Sequence, residues 1–244
     1  MTASVRRRRL AWTALVIGAG ALLVALMAGS ALLPRLLSGV IVARLGGETA
    51  ARGVEVKVDA RPPWRLLQGE VDTLHVDLRE ARFGLLPVDS FLLDAYDLKL
   101  DASRLWRTGT LRVLRQGRLT ATLRLTEDDL NRYLWATVDR DRTFHLTLGQ
   151  GYAQAEGSLT LLGQPVPLRL KGRFVIDEPA SLRFAPDEFF LAKMPVPRPF
   201  LENVVAKVFY VRIRLEELPV KVRLTDVRLE KGRAFLFATN QERV

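Results

Sequence analysis

The stretch Leu119-Thr120-Ala121-Thr122-Leu123-Arg124-Leu125-Thr126-Glu127-Asp128-Asp129-Leu130-Asn131-Arg132-Tyr133-Leu134 decides how the chain is read. In its first half Leu119, Ala121, Leu123 and Leu125 alternate with Thr120, Thr122 and Arg124. That two-residue period belongs to a strand with one buried face. At Thr126 the period changes. Thr126 is placed to cap a helix, with Asp129 three residues on as in a capping box, and Leu130, Tyr133 and Leu134 share one helical face. Glu127, Asp128 and Asp129 fill the first turn, where the helix dipole favours negative charge. A half-buried strand feeding an amphipathic helix is the unit of an α+β fold.

The same alternation recurs on both sides. Upstream, Val54, Val56 and Val58 alternate with Glu55, Lys57 and Asp59. Pro62-Pro63 then breaks the pattern, and residues 64–69 read as a short turn or helical bend. Leu74, Val76 and Leu78 form a second set, and Tyr96, Leu98 and Leu100 a third. Downstream come Phe144, Leu146 and Leu148, then Val166, Leu168, Leu170, Phe174 and Ile176. Val211, Ile213 and Leu215, followed by Val220, Val222 and Leu224, close the series. Gln116-Gly117-Arg118 and Lys231-Gly232-Arg233 read as hairpin turns. Two further helices are expected. Residues 35–45 place Leu36, Leu37, Val40, Ile41 and Leu45 on one face. After the prolines of residues 195–199, Leu201, Val204, Val205, Val208 and Phe209 form a second stripe. No linker or low-complexity tract divides residues 34–244, which read as one α+β domain dominated by antiparallel strands.

Residues 10–33 carry no charge and directly follow Arg6, Arg7, Arg8 and Arg9. A helix of that length crosses a hydrocarbon core of about 30 Å. The arginines before it place the N-terminus in the cytoplasm and the domain outside. The length of the apolar run favours a retained single-pass anchor in the cell membrane. Ala28-Gly29-Ser30-Ala31 would also suit a signal peptidase, which would leave the domain secreted. Residues 1–33 are therefore the arginine block and anchor or signal, and residues 34–244 the extracytoplasmic domain.

Composition excludes several functions. The chain has no cysteine, hence no disulfide, thiolate nucleophile or thiolate metal site. Its net charge of +10 owes four units to the arginine block; the remaining 33 basic residues face 27 acidic ones. Those basic residues are spaced singly along strands, unlike the clusters with aromatics that bind nucleic acid, and no nucleic-acid partner is expected. His75 and His145 both fall on the polar side of their strands. There is no HExxH pair, no G-x-S-x-G elbow and no glycine-rich phosphate loop. No enzymatic activity, metal or cofactor is expected. A glycan hydrolase would need two carboxylates facing each other about 5 to 9.5 Å apart. The remaining signal is apolar surface: many half-buried strands and few helices to cover them. The inner face must be covered by helices, by the sheet itself, or by a ligand. Phe189, Phe190 and Met194, in an apolar run without clear period, are candidates for the lip of a cavity.

The order of these motifs resembles the LmeA-like phospholipid-binding family. Carrying the likeness are Pro62-Pro63-Trp64-Arg65-Leu66-Leu67-Gln68-Gly69 leading into Val71-Asp72-Thr73-Leu74-His75-Val76, then Leu125-Thr126-Glu127-Asp128-Asp129-Leu130-Asn131. A proline-flanked late helix, Leu218-Pro219, residues 220–229 and the Lys231-Gly232 turn complete it. The resemblance implies a domain similar to tubular lipid-binding proteins, with one strongly curved antiparallel sheet wrapped around a helix and an apolar cavity between them. It also implies binding of phospholipids and a role in envelope lipid maintenance. Apolar periodicity suggests Leu37, Val40, Ile41, Leu45, Leu201, Val204, Val205 and Val208, together with Phe189, Phe190 and Met194, as lipid contacts. The expected partners are a phospholipid or other acyl-chain lipid and a membrane. The alternative is a non-enzymatic structural or interaction module of the envelope with a closed core.

Overall fold

The computed structural model describes residues 38–39, 42, 50–108, 112–161, 163–178, 181–192, 194–195, 212–214 and 222–241. In chain order the strands are β1 (Gly53–Asp59), β2 (Glu70–Phe83), β3 (Leu86–Leu100), β4 (Val113–Arg115), β5 (Leu119–Thr126), β6 (His145–Leu148) and β7 (Ala153–Leu161). They continue with β8 (Gln164–Glu178), β9 (Ser181–Leu191), β10 (Met194–Pro195), β11 (Arg212–Arg214), β12 (Arg223–Glu230) and β13 (Arg233–Thr239). A 3-10 helix covers Pro63–Gln68, and two α-helices follow β3 and β5: α1 (Ala102–Thr108) and α2 (Glu127–Thr137).

Among the described residues all strand pairs are antiparallel, and they form two sheets. The first has the order β1-β2-β3-β5-β13-β12, with β4 against β3; the second has β10-β9-β8-β7-β6, with β11 against β9. The sheets contribute to one cluster of buried apolar side chains, with Leu78, Leu123, Leu125, Leu170 and Leu236 among its fully buried members. The antiparallel, strand-dominated reading therefore stands, as do Thr126 as the cap and Asp129 as its reciprocal partner in the capping box of α2. The single wrapped sheet does not. Helix α2 lies against β3 and β5 of the first sheet and against β6 of the second, so it stands where the two sheets part.

The reason is a row of side chains spaced four residues apart. Glu127, Asn131 and Trp135 lie along one line of α2 and meet the free edge of β6. Glu127 Oε1 accepts from Leu148 N–H at 2.7 Å. Asn131 accepts from Leu146 N–H at 2.7 Å and donates to the Leu146 carbonyl at 2.8 Å. Trp135 Nε1 donates to the Phe144 carbonyl at 2.8 Å, and Gly232 N–H reaches the Leu148 carbonyl. A helix thus supplies to β6 what a neighbouring strand would supply, and the second sheet ends there. An edge satisfied in this way is closed to further strand pairing.

Three local expectations are corrected. Gln116-Gly117-Arg118 is not a hairpin turn: β4 and β5 both pair with β3, one after the other. Gly117 instead lies so close to β3 that a Cβ would meet the Tyr96 carbonyl at 2.6 Å. Tyr96 does not share a face with Leu98 and Leu100. Asp97 has φ 53°, which switches the side of the sheet that successive residues face, and Ala95 takes the buried position while Tyr96 carries Arg118 over its ring. Ile176, at the end of β8, is exposed rather than inward. The Lys231-Gly232 turn does join β12 and β13 as expected.

Residues 10–33 lie outside the described residues, and among those described no helix is long and apolar enough to cross a membrane. Ser38, Gly39 and Val42 are helical, and Val42 packs against the core.

A charged clamp fixes the 3-10 helix to the first sheet. Arg65 donates to Glu70 at 2.8 Å and to Asp72 at 2.7 Å, and Lys99 donates to Glu70 at 2.7 Å. Hydrogen bonds first from Lys99 and then from Arg65 hold the Glu70 carboxyl down to about 2. A carboxyl depressed in the folded state stabilises fully above its ordinary value of 4.5, and that contribution is lost as pH falls toward about 2. The stability difference between the native chain and Glu70→Gln, measured as urea midpoints, is expected to be constant above pH 4.5 and to shrink below it. A difference that is unchanged at pH 2.5 would count against the clamp.

Candidate functional site

The inner face of the second sheet is apolar across its width. Leu146, Ala155, Leu170 and Phe189 lie in register across β6, β7, β8 and β9, and all are buried. Beside them Phe174 and Phe184 meet edge to face with centroids 5.7 Å apart. Leu168 and Leu182 extend the same buried surface along β8 and β9. Alternating residues on these strands make ion pairs, such as Arg169 with Glu156 and Lys171 with Glu188.

Buried polar side chains are few: Asp129, Asn131 and Ser181 among the described residues. Asp129 is occupied by Thr126 and by Arg132 at 2.9 Å. Asn131 is occupied by β6. Ser181 Oγ, 1% exposed at the start of β9, has no hydrogen-bond partner among the described residues. Successive strand residues face opposite ways, so Ser181, next to Leu182, does not belong to the apolar face.

The predicted contacts are separated by this geometry. Phe189 faces the core at 6% exposure. Phe190, its neighbour on the strand, lies opposite Arg169 on the other face. Met194 pairs with Leu191 across the β9–β10 turn and is 67% exposed. Leu37, Val40, Ile41, Leu45, Leu201, Val204, Val205 and Val208 lie outside the described residues. Sequence reasoning missed Ser181, because a serine beginning a strand carries no signal of burial. It did find Phe174 by alternation without linking it to Phe184.

The acids and histidines are engaged elsewhere. Glu127 holds Leu148, Asp128 pairs with Arg132 at 3.0 Å, and Asp187 and Glu188 pair with Arg173 and Lys171. His75 Nδ1 lies 2.7 Å from Asp94 Oδ1 on neighbouring strands, both partly exposed to solvent. His145 is exposed near the Trp135 ring. Among the described residues no three carboxylates and imidazoles gather as a metal site would require. What the arrangement offers chemically is apolar contact.

No curated protein and no solved structure matches the chain. A family model described as LmeA-like phospholipid-binding matches residues 24–236, from within the apolar N-terminal run through β12 and into β13. By that match over most of its length, the chain belongs to the LmeA-like phospholipid-binding family.

Proposed function

We propose that the protein binds phospholipid acyl chains against the inner face of its second sheet, with Leu168, Leu170, Phe174, Leu182, Phe184 and Phe189 as the apolar wall. The observation that carries this is the apolar face that runs in register through Leu146, Ala155, Leu170 and Phe189. Each buried methylene would add about 0.8 kcal/mol. Residues 10–33 hold the chain at the cell membrane with the domain outside, or export it if they are cleaved. In that position it serves envelope lipid transfer or maintenance, without a catalytic step.

The test is mass spectrometry of lipid extracted from the purified full-length chain, with displacement by a fluorescent acyl probe. Co-purifying phospholipid that the probe displaces is expected. A chain that carries no lipid and takes up no probe would return the closed-core envelope module as the better reading.

A further inference from the structure

At the end of the first sheet where β1 stops, charge and apolar exposure coincide. Residues 97–118 carry six basic side chains and two acidic ones. Lys99 is held by Glu70, Arg104 lies 3.6 Å from Asp101, and Arg118 covers the Tyr96 ring. Arg107, Arg112 and Arg115 are exposed and make no direct ion pair among the described residues, Arg112 acting on Asp101 only from a longer distance. Elsewhere exposed cations form ion pairs, as Arg52 with Glu80, Arg169 with Glu156, Lys171 with Glu188 and Arg173 with Asp187, or stand apart from one another, as Arg82 and Arg140 do.

The same end exposes large apolar groups. Trp64 is 51% exposed, Leu67 52%, Val113 40% and Leu114 56%. They are brought together by the backbone: Leu100 N–H donates to the Gly69 carbonyl at the end of the 3-10 helix, Leu100 pairs with Val113, and Asp101 N–H donates to the Arg112 carbonyl. The charged clamp on Arg65 holds this arrangement rigid. The chain enters the sheet at the far end of β1, where Arg52 N–H meets the Arg79 carbonyl.

We infer that this end of the first sheet is a docking surface for an anionic phospholipid bilayer. Unmatched arginines supply attraction to the phosphate and headgroup layer, which falls off within a Debye length. Trp64, Leu67 and Leu114 supply shallow insertion, the part that aromatic and aliphatic side chains play at a membrane interface. Charge complementarity selects the occupant: a neutral apolar partner would leave three arginines desolvated and unpaired. Such a surface would set where the domain takes up or delivers lipid. It is separate from the acyl-binding face, and its failure would leave that reading intact.

The chain has no cysteine, so a single dye can be placed by Leu114→Cys, with Val138→Cys, exposed after α2, as the control. Full-length protein is held in phosphatidylcholine nanodiscs and offered phosphatidylglycerol or phosphatidylcholine vesicles; in a second arm the nanodisc itself contains phosphatidylglycerol. The dye at 114 is expected to shift to the blue and escape iodide quenching in at least one phosphatidylglycerol arm, and the effect should vanish in high salt. Replacing Arg107, Arg112 and Arg115 together by Gln should weaken vesicle affinity on the order of a hundredfold at low salt while extracted lipid is unchanged. The inference is overturned if the dye at 114 responds in neither arm, equally to phosphatidylcholine, no more than the dye at 138, or to protein concentration alone, which would mark a contact between copies.

Discussion

Asn131→Leu is expected to destabilise the protein by about 3 to 5 kcal/mol, although leucine matches asparagine closely in size. The substitution leaves the Leu146 N–H and carbonyl buried without partners, and each such group costs about 1 to 3 kcal/mol. A third bond, from Asn131 Nδ2 to the Glu127 carbonyl at 2.9 Å, is lost within the helix. Asn131 is 1% exposed, so water cannot substitute. Chemical denaturation measures the total, and hydrogen exchange gives the local signature. In the native chain the Leu146 and Leu148 amides of an edge strand should exchange as slowly as those of a central one. In the variant Leu146 should lose that protection first. A cost below 1 kcal/mol would mean that β6 finds other partners and that the helix is not what ends the sheet.

The second large effect is expected at the centre of the first sheet. Leu123 is fully buried, with Phe91 on β3 and Leu236 on β13 directly opposite. Leu123→Ala removes three carbons from a site walled by two strands and cannot be refilled by a surface loop. The expected cost is 2 to 5 kcal/mol, read as a lower guanidinium midpoint with an unchanged slope. Leu123→Val should cost roughly 1 kcal/mol. The pair Leu123→Ala and Leu236→Ala should cost less together than the sum of the two, because they enlarge one cavity. Lipid carried by the still-folded variant should be unaffected, since Leu123 belongs to the sheet without the proposed acyl face.

Periodicity made the strands around Val56, Val76, Leu123, Leu146 and Leu170 legible, because each has one face in the core and one in water. Thr126 and Asp129 were legible for a different reason: a capping box is local, and its two bonds need no other part of the chain. What escaped was whatever depends on a partner. Gly117 reads as a turn until β4 and β5 are seen to share β3. Tyr96 reads as inward until the positive φ at Asp97 switches the face. Glu127, Asn131 and Trp135 have a visible four-residue spacing, but nothing local says that their target is the edge of a strand 9 to 21 residues on. That omission also hid the division into two sheets. Phe189 and Phe190 are a different kind of miss: adjacent residues of a strand face opposite ways, and the alternation could have separated them. Ser181 gave no sign, since its isolation is a property of the packed interior.

The order of strands in the first sheet constrains how the chain reaches its final form. β5 is complete by residue 126, yet its outer neighbour, β13, begins at residue 233, and Asn240 closes back on Leu119 and Gly117. The second sheet is built entirely from the residues between. Contacts so distant along the chain form slowly, because a long loop must close before they contribute. A polypeptide emerging from a ribosome or translocon therefore presents the bare rim of β5 until its final hairpin is released. During that interval the rim is open to an intruding strand from another molecule. A folding helper that shields extended segments would act on this protein at that stage, and slowed synthesis near residue 230 would lengthen the exposure.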